Sequence, residues 1–308
     1  MADSKIFAPK TFAGVLAPVL TPFAADLSPD RRRFLAHCHW LLDEGINGLA
    51  VFGTTSEANS LSREERMELL EALVEDGVDS ALLMPGTGCC AIPDTVRLTA
   101  HAVGLGCGGV LLLPPFYYKG VSDEGIFASV AETIERVGDA RLRVYLYHIP
   151  PMAQVGYSLD LVERLRNRYP ETVVGLKDSS GDWSNTAAIL ERFPGFATFV
   201  GSEAYLLDTL RGGGAGSITA AGNVNAAALR ALYDAWQSPM ADSLQAQVTA
   251  QRKVMQGYPL FAGLKAVLAA MRNDPDWNRL RPPLTALPAE QAAALIEELR
   301  RHDFPLAA

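Results

Sequence analysis

Lys177 closes the apolar run 173–176 and is followed directly by Asp178. An ammonium at the end of a buried strand loses hydration, and desolvation lowers a lysine's pKa. A partly neutral amine attacks a ketone and forms a Schiff base. The protonated imine then draws electrons from the neighbouring carbon, which can lose a proton or break a C–C bond. Two further groups would complete such chemistry. Tyr147, near the end of another apolar run, offers a phenol to shuttle the protons that imine formation and bond cleavage move. Gly53-Thr54-Thr55 ends a third run. Its glycine permits a tight turn, and the hydroxyls and backbone N–H groups after it can cradle a carboxylate. Each residue also has an ordinary reading: Lys177 pairs with Asp178 or another rim carboxylate, Tyr147 fills a core, and the threonines stabilise a turn. Their weight is joint, because three strands would bring an amine, a phenol and a carboxylate cradle to one rim.

The elements that must position these groups alternate along the chain. Short apolar runs at 14–23, 46–55, 81–87, 109–116, 143–150, 173–178, 198–203 and 216–221 are hydrophobic on consecutive residues, which suits parallel strands covered on both faces. Amphipathic patterns separate them. Ser28-Pro29 offers an N-cap and a proline at the first helical position of a helix over 31–44. Ser62-Arg63-Glu64-Glu65 is a capping box, and Ser158 opens a third helix in the same way. Strand and helix repeated about eight times predict an α/β fold, a (β/α)8 TIM barrel, with a doubly wound open sheet as runner-up. The barrel spans about 12–225. Residues 226–308 supply the last barrel helix and a helical extension within the same domain. In a barrel of this kind chemistry gathers where the strands end, which selects the positions named above together with Tyr117-Tyr118, Gly201-Ser202-Glu203 and the end of the eighth run.

Composition excludes several classes of function. A chain of 308 residues with 49% hydrophobic and 20% charged residues builds a core without needing metal or disulfide. The balance of 27 Lys+Arg against 35 Asp+Glu gives a net charge of −8, which disfavours nucleic acid and anionic membranes as partners. Cys38, Cys89, Cys90 and Cys107 have no disulfide-framework spacing. The first twelve residues lack the apolar segment of a signal peptide, and no apolar run approaches the ~20 residues of a membrane helix. The expectation is a cytoplasmic protein.

Three motifs carry a family resemblance. Gly53-Thr54-Thr55-Ser56-Glu57 resembles G-[ST]-T-G-E, Tyr147-His148-Ile149-Pro150 resembles Y-N-[IV]-P, and Gly175-Leu176-Lys177-Asp178-Ser179 resembles G-[IV]-K-[DE]-[ST]. In that order and at those strand ends they resemble the dihydrodipicolinate synthase / N-acetylneuraminate lyase family of pyruvate-type class I aldolases, from about Phe12 to near Asn225 and more weakly beyond. The resemblance implies that Lys177 forms the imine, that Tyr147 is the acid/base phenol, and that Thr54 and Thr55 bind the carboxylate, with Thr54 joining the proton relay. It further implies that Gly53 shapes the carboxylate turn, that Gly201 and Ile218 line the pocket, and that Tyr118 reaches into a neighbouring subunit's site. Neither metal nor organic cofactor is implied. The partner is a small 2-oxo acid with a pyruvate moiety, and the assembly a homotetramer built as a dimer of dimers.

The chain departs from this pattern in three places. Met152 stands where synthases carry an arginine for the aldehyde's carboxylate, and a thioether cannot form that charge-assisted pair. True dihydrodipicolinate synthesis is therefore disfavoured. His148 replaces the usual Asn. Ser56 replaces a Gly, so the local backbone must differ or carry strain. The activity implied is a Schiff-base lyase or aldolase of a 2-oxo acid, with pyruvate as donor or product. The alternatives are a dehydratase or hydratase of a 2-keto-3-deoxy sugar acid, and a 2-oxo-acid-binding barrel with little turnover. Four other features read as structural: His37-Cys38-His39 lies on a helix whose residues two apart point about 200° apart, Gly212–Gly216 is a tight turn before the last strand, Lys265 is solvated on an amphipathic helix, and Cys89-Cys90 are small packed residues.

Overall fold

In a computed structural model, residues 11–306 of the chain are described. The N-terminal stretch read as lacking a signal peptide lies almost wholly outside them. Seven parallel strands form one sheet: β1 Gly14–Ala17, β2 Gly48–Leu49, β3 Val110–Leu112, β4 Val144–His148, β5 Val173–Asp178, β6 Ala197–Val200 and β7 Gly216–Ile218. Their order is β2-β1-β7-β6-β5-β4-β3. The third apolar run supplies no regular strand. Its first residues form a 3-10 turn, Ser80–Leu82, and the rest bridges the two sheet edges, Leu83 to Leu49 and Gly86 to Leu111. The ring closes through Met84 N to Leu49 O at 2.9 Å, Gly86 N to Val51 O at 2.7 Å and Thr87 N to Leu111 O at 3.1 Å.

Local chemistry explains the irregular joint. Pro85 has no N–H to donate, and Gly86 presses so closely on the neighbouring chain that a Cβ there would stand 2.4 Å from the Phe52 carbonyl oxygen. With this segment in place the architecture is the expected (β/α)8 barrel, made of seven strands and one bridging run. The strands are shorter than the apolar runs. β1 stops at Ala17, before Pro18 and Pro22 remove two donors.

Two layers of core follow from strand alternation. Leu16, Ala50, Met84, Leu111, Tyr145, Phe199 and Ile218 fill the barrel with Phe12 across its base. The opposite faces pack on the surrounding helices. Tyr145 is fully buried, and its hydroxyl accepts from Phe12 N at 2.9 Å. Among helix starts, the capping box at Ser62 is present, with Ser62 N donating to Glu65 Oε2 at 2.8 Å and Glu65 N to Ser62 Oγ at 3.1 Å. Ser158 caps Leu159–Arg168. Ser28 does not cap its helix. Its hydroxyl is engaged by Asp26 at 2.6 Å, and Asp30 caps Arg31–Asp43 instead, accepting from Arg33 N at 2.9 Å.

Beyond β7, Ala226–Asp234 packs on β1, and the helices Ala241–Gln256, Leu260–Arg272 and Ala289–Arg300 pack on one another around Val254, Leu264, Val267, Leu295 and Leu299. Among the described residues no single helix is long and apolar enough to cross a membrane.

Candidate active site

β5 alternates its side chains, so Lys177 points into the barrel mouth and Asp178 the other way. Lys177 is 4% exposed, and its Nζ lies 4.3 Å from the centroid of the Tyr147 ring. That contact follows from register, since Tyr147 pairs with Lys177 across β4 and β5. Asp178 is occupied elsewhere. Its Oδ2 accepts from Thr186 Oγ1 at 2.6 Å and its Oδ1 from Ser180 N at 2.9 Å, which ties the end of β5 to the following helix, Trp183–Arg192. Lys177 has no ion-pair partner among the described residues, so the reading of a paired rim lysine does not hold.

The Tyr147 hydroxyl is 3.2 Å from Thr54 Oγ1. Thr54 and Thr55 follow Gly53 in the loop after β2, where Phe52 (φ 59°) and Glu57 (φ 55°) adopt left-handed backbone. Ser56 does not, so of the two outcomes its Cβ allowed, a different backbone or strain, the first holds. Ser56 instead anchors the loop, with Oγ donating to Val19 O at 2.5 Å and its carbonyl accepting from Thr21 Oγ1 at 2.8 Å. Gly53 has no heavy atom near the position its Cβ would take, so neither crowding nor φ demands a glycine there. Gly201 is required by crowding, because a Cβ would fall 2.1 Å from Ser179 Oγ. Ile218, fully buried at the end of β7, completes the floor.

Thr54, Thr55, Tyr147, Lys177, Gly201 and Ile218 thus line one cavity of about 160 Å³. Gly53 is not among the lining residues, though it precedes two of them in the chain. Tyr118 is not in this cavity. It is 71% exposed, packed edge-on against Tyr117, 5.4 Å away between ring centroids. Met152 does line it, on the short helix Pro150–Ala153. His148 alternates with Tyr147 and faces outward. Its Nδ1 accepts from Tyr157 N at 2.9 Å, and burial pushes its pKa down, opposed by Asp178.

One wall residue carried no sequence signal, and its partner is the Glu203 that strand-end position selects. Arg252, on Ala241–Gln256, lines the cavity, and its Nη1 lies 2.6 Å from Glu203 Oε2. Glu203 is buried and also accepts from Thr219 Oγ1. Nothing in the sequence pairs them, because 49 residues separate the two.

Lys265 corrects a sequence expectation. It is fully buried rather than solvated, with Nζ 2.5 Å from Glu57 Oε1, 2.7 Å from Arg279 O and 4.5 Å above the Phe23 ring. Its helix has no solvent face at this point: Ala262 through Ala269 are all buried. His37 and His39 diverge as expected, His37 to Asn223 Oδ1 at 3.1 Å inside and His39 to Asp76 at 2.8 Å outside. Cys89 is half-buried beside Arg66, 3.8 Å from its Nη1, whereas Cys90 is exposed rather than packed. No cluster of three metal-ligating side chains occurs among the described residues.

The profile of the "Dihydrodipicolinate synthetase family" matches residues 11–301. A protein of Chloroflexus aurantiacus described as an uncharacterized DapA-like lyase is 34% identical over 284 residues, covering 92% of this chain and 94% of its own. The 4-hydroxy-tetrahydrodipicolinate synthase of Methanosphaerula palustris is 29% identical over 301 residues, covering 95% and 100%. The crystal structure of dihydrodipicolinate synthase from Agrobacterium tumefaciens superposes with a TM-score of 0.88 at 28% identity, covering 94% of this chain and 98% of that one. A buried lysine on β5 beside a β4 tyrosine, inside a barrel matched along nearly its whole length, places the protein in the dihydrodipicolinate synthetase family of lyases.

Proposed function

We propose that this protein is a Schiff-base-forming lyase of a 2-oxo acid, with pyruvate as donor or product. The observation that carries the reading is Lys177: buried, free of any carboxylate among the described residues, and set against a tyrosine whose hydroxyl reaches Thr54. Lys177 Nζ attacks C2 of the keto acid, and Tyr147, relayed by Thr54, protonates the departing hydroxyl so that water leaves and the iminium forms. The Thr54-Thr55 segment holds the acid's carboxylate. In cleavage, a base removes the proton of the C4 hydroxyl, the C3–C4 electron pair moves toward the iminium nitrogen, and an aldehyde departs. The enamine is then protonated at C3 and hydrolysed to pyruvate. Condensation is the reverse, and neither direction needs a metal or organic cofactor.

Met152 weakens the case for the synthase activity of the Methanosphaerula relative, because the side chain at that wall position cannot pair with a carboxylate. The hydroxyls of Ser179 and Ser202 along the same cavity favour a hydroxylated chain, which keeps dehydration of a 2-keto-3-deoxy sugar acid as the second reading. We further propose a cytoplasmic homotetramer, with Tyr118 crossing into a neighbour's site and the C-terminal helices acting as part of one domain with the barrel.

Pyruvate and borohydride should add one reduced pyruvyl group to the protein, mapped by peptide mass spectrometry to Lys177, and Lys177→Ala should abolish both the label and turnover. An unlabelled Lys177 in a folded protein overturns the proposal. Pyruvate-dependent thermal stabilisation with labelling but no turnover of any keto-deoxy acid identifies a binding barrel instead.

A further inference from the structure

The Arg252–Glu203 ion pair has no part in forming the imine, yet its guanidinium belongs to a residue that lines the Lys177 cavity. Arg252 lines both the Lys177 cavity and a second one of about 180 Å³ bounded by Met255, Gln256, Tyr258, Leu260 and Leu264. A lone guanidinium at such a junction would be a bidentate receptor for a carboxylate or phosphate. This one is already engaged. Glu203 Oε2 holds Nη1 at 2.6 Å, and the Gln256 amide, turned with its oxygen toward the guanidinium, accepts from Nη2 and Nε at 3.2 and 3.3 Å. Glu203 cannot swing away. Its carboxylate is buried and held by Thr219, and its backbone oxygen accepts from Gln245 Nε2 at 2.9 Å.

An incoming anion would therefore meet the Arg252 charge and the Glu203 charge together. Asp182, which lines the cavity, opposes it further, and the bound keto acid brings its own carboxylate. Lys177 supplies the remaining positive charge, and in the reaction proposed above that charge is the iminium serving the first substrate. Around the same space stand the hydroxyls of Ser179, Ser202 and Tyr205 and the thioether of Met152. These groups can hydrogen-bond a hydroxylated chain, but they bring no positive charge to offset a second anion.

We infer that the aldehyde partner is uncharged and hydroxylated, and that the Arg252–Glu203 pair is the specificity-determining element that rejects an anionic one. The inference rests on the lyase reading and adds the substrate's charge to it. Pyruvate condensation should be measured with glyceraldehyde and with glyceraldehyde 3-phosphate, taking the ratio of the two kcat/KM values, with borohydride trapping run on the same samples. The wild-type protein should favour the uncharged aldehyde at least tenfold. Glu203→Gln should lower that ratio at least tenfold, through a gain with the phosphorylated aldehyde. Arg252→Gln should keep or raise the ratio while lowering kcat/KM for the uncharged aldehyde. A wild-type preference for the phosphorylated aldehyde, or an unchanged ratio in folded Glu203→Gln, overturns the inference. So does trapping of pyruvate with condensation of neither aldehyde. If Glu203→Gln does not fold, the wild-type ratio and Arg252→Gln decide. Loss of trapping in the wild type removes the lyase reading itself, which separates the two failures.

Discussion

Lys265 on the helix Leu260–Arg272 and Glu57 at the end of the Gly53–Glu57 motif form an ion pair of 2.5 Å in which neither side chain reaches solvent. Glu57 also accepts from Arg281 N at 3.2 Å, and Lys265 donates to Arg279 O, so the loop bearing Thr54 and Thr55 is fastened to the C-terminal helices from both sides of one carboxylate. Burial holds the Lys265 ammonium below the usual lysine range, opposed by Glu57.

Removing one partner of such a pair strands the other charge in the interior, which costs about 3–5 kcal/mol. Lys265→Met should destabilise the protein by about that amount in denaturant unfolding, and the double variant Lys265→Met/Glu57→Gln should recover part of the loss. Both should raise KM for the keto acid more than they lower kcat, since the carboxylate cradle loses its anchor. Unchanged KM in the single variant would mean the pair serves stability alone.

Tyr147→Phe keeps the ring against Lys177 and deletes only the hydroxyl facing Thr54. Proton shuttling of this kind is worth about 100- to 10,000-fold. The variant should keep its melting temperature and lose kcat by that range, with slowed imine formation visible in borohydride-quench time courses. Wild-type kinetics in the variant would remove Tyr147 from the relay.

His37 predicts how stability changes with acid. Its ring is fully buried between Trp40 and Trp277, with Nε2 donating to Asn223 Oδ1, and burial depresses its pKa to about 3. An unfolded histidine titrates near 6.5, so between those values the unfolded chain binds a proton that the native protein refuses. The native state is therefore favoured fully above pH 6.5 and loses about 1.4 kcal/mol for each unit below it. Unfolding free energies measured from pH 7 to 5 should show this slope, and His37→Phe should flatten it. An equal slope in the variant would assign the effect to other groups.

Tyr118 projects into solvent at 71% exposure, next to Tyr117. If it completes a neighbour's site, Tyr118→Phe should lower kcat at unchanged oligomeric state, and mixing it with Lys177→Ala protein should restore activity by forming hybrid sites. Wild-type behaviour of Tyr118→Phe would dispose of the shared site.

Lys177, Tyr147 and Thr54 were legible because strand alternation and end position decide where such side chains point, and both can be read along a few residues. The capping box at Ser62 was legible for the same local reason. The errors share a cause of the opposite kind. Lys265 looks solvated because periodicity shows one polar position and not the second layer of protein above it. Ser28 looks like a cap until Asp26 is seen to occupy its hydroxyl. Ser56 is not among the errors: the sequence allowed a different backbone or strain, and the structure takes the first, with Phe52 and Glu57 as the left-handed residues. Arg252 joins the site through a long-range pairing that no spacing encodes.

The barrel is not equally paired around its circumference. Lys177 and Tyr147 ride on β4 and β5, joined by five paired residues, whereas Thr54 and Thr55 stand just after Val51 and Phe52, where the ring is completed by the isolated bridges of 83–86. The reacting amine and phenol thus share the most extensively paired joint of the cylinder, whereas the acid-gripping turn adjoins the one closed without a regular strand, so register fixes the chemical pair more directly than it fixes either member to the carboxylate turn.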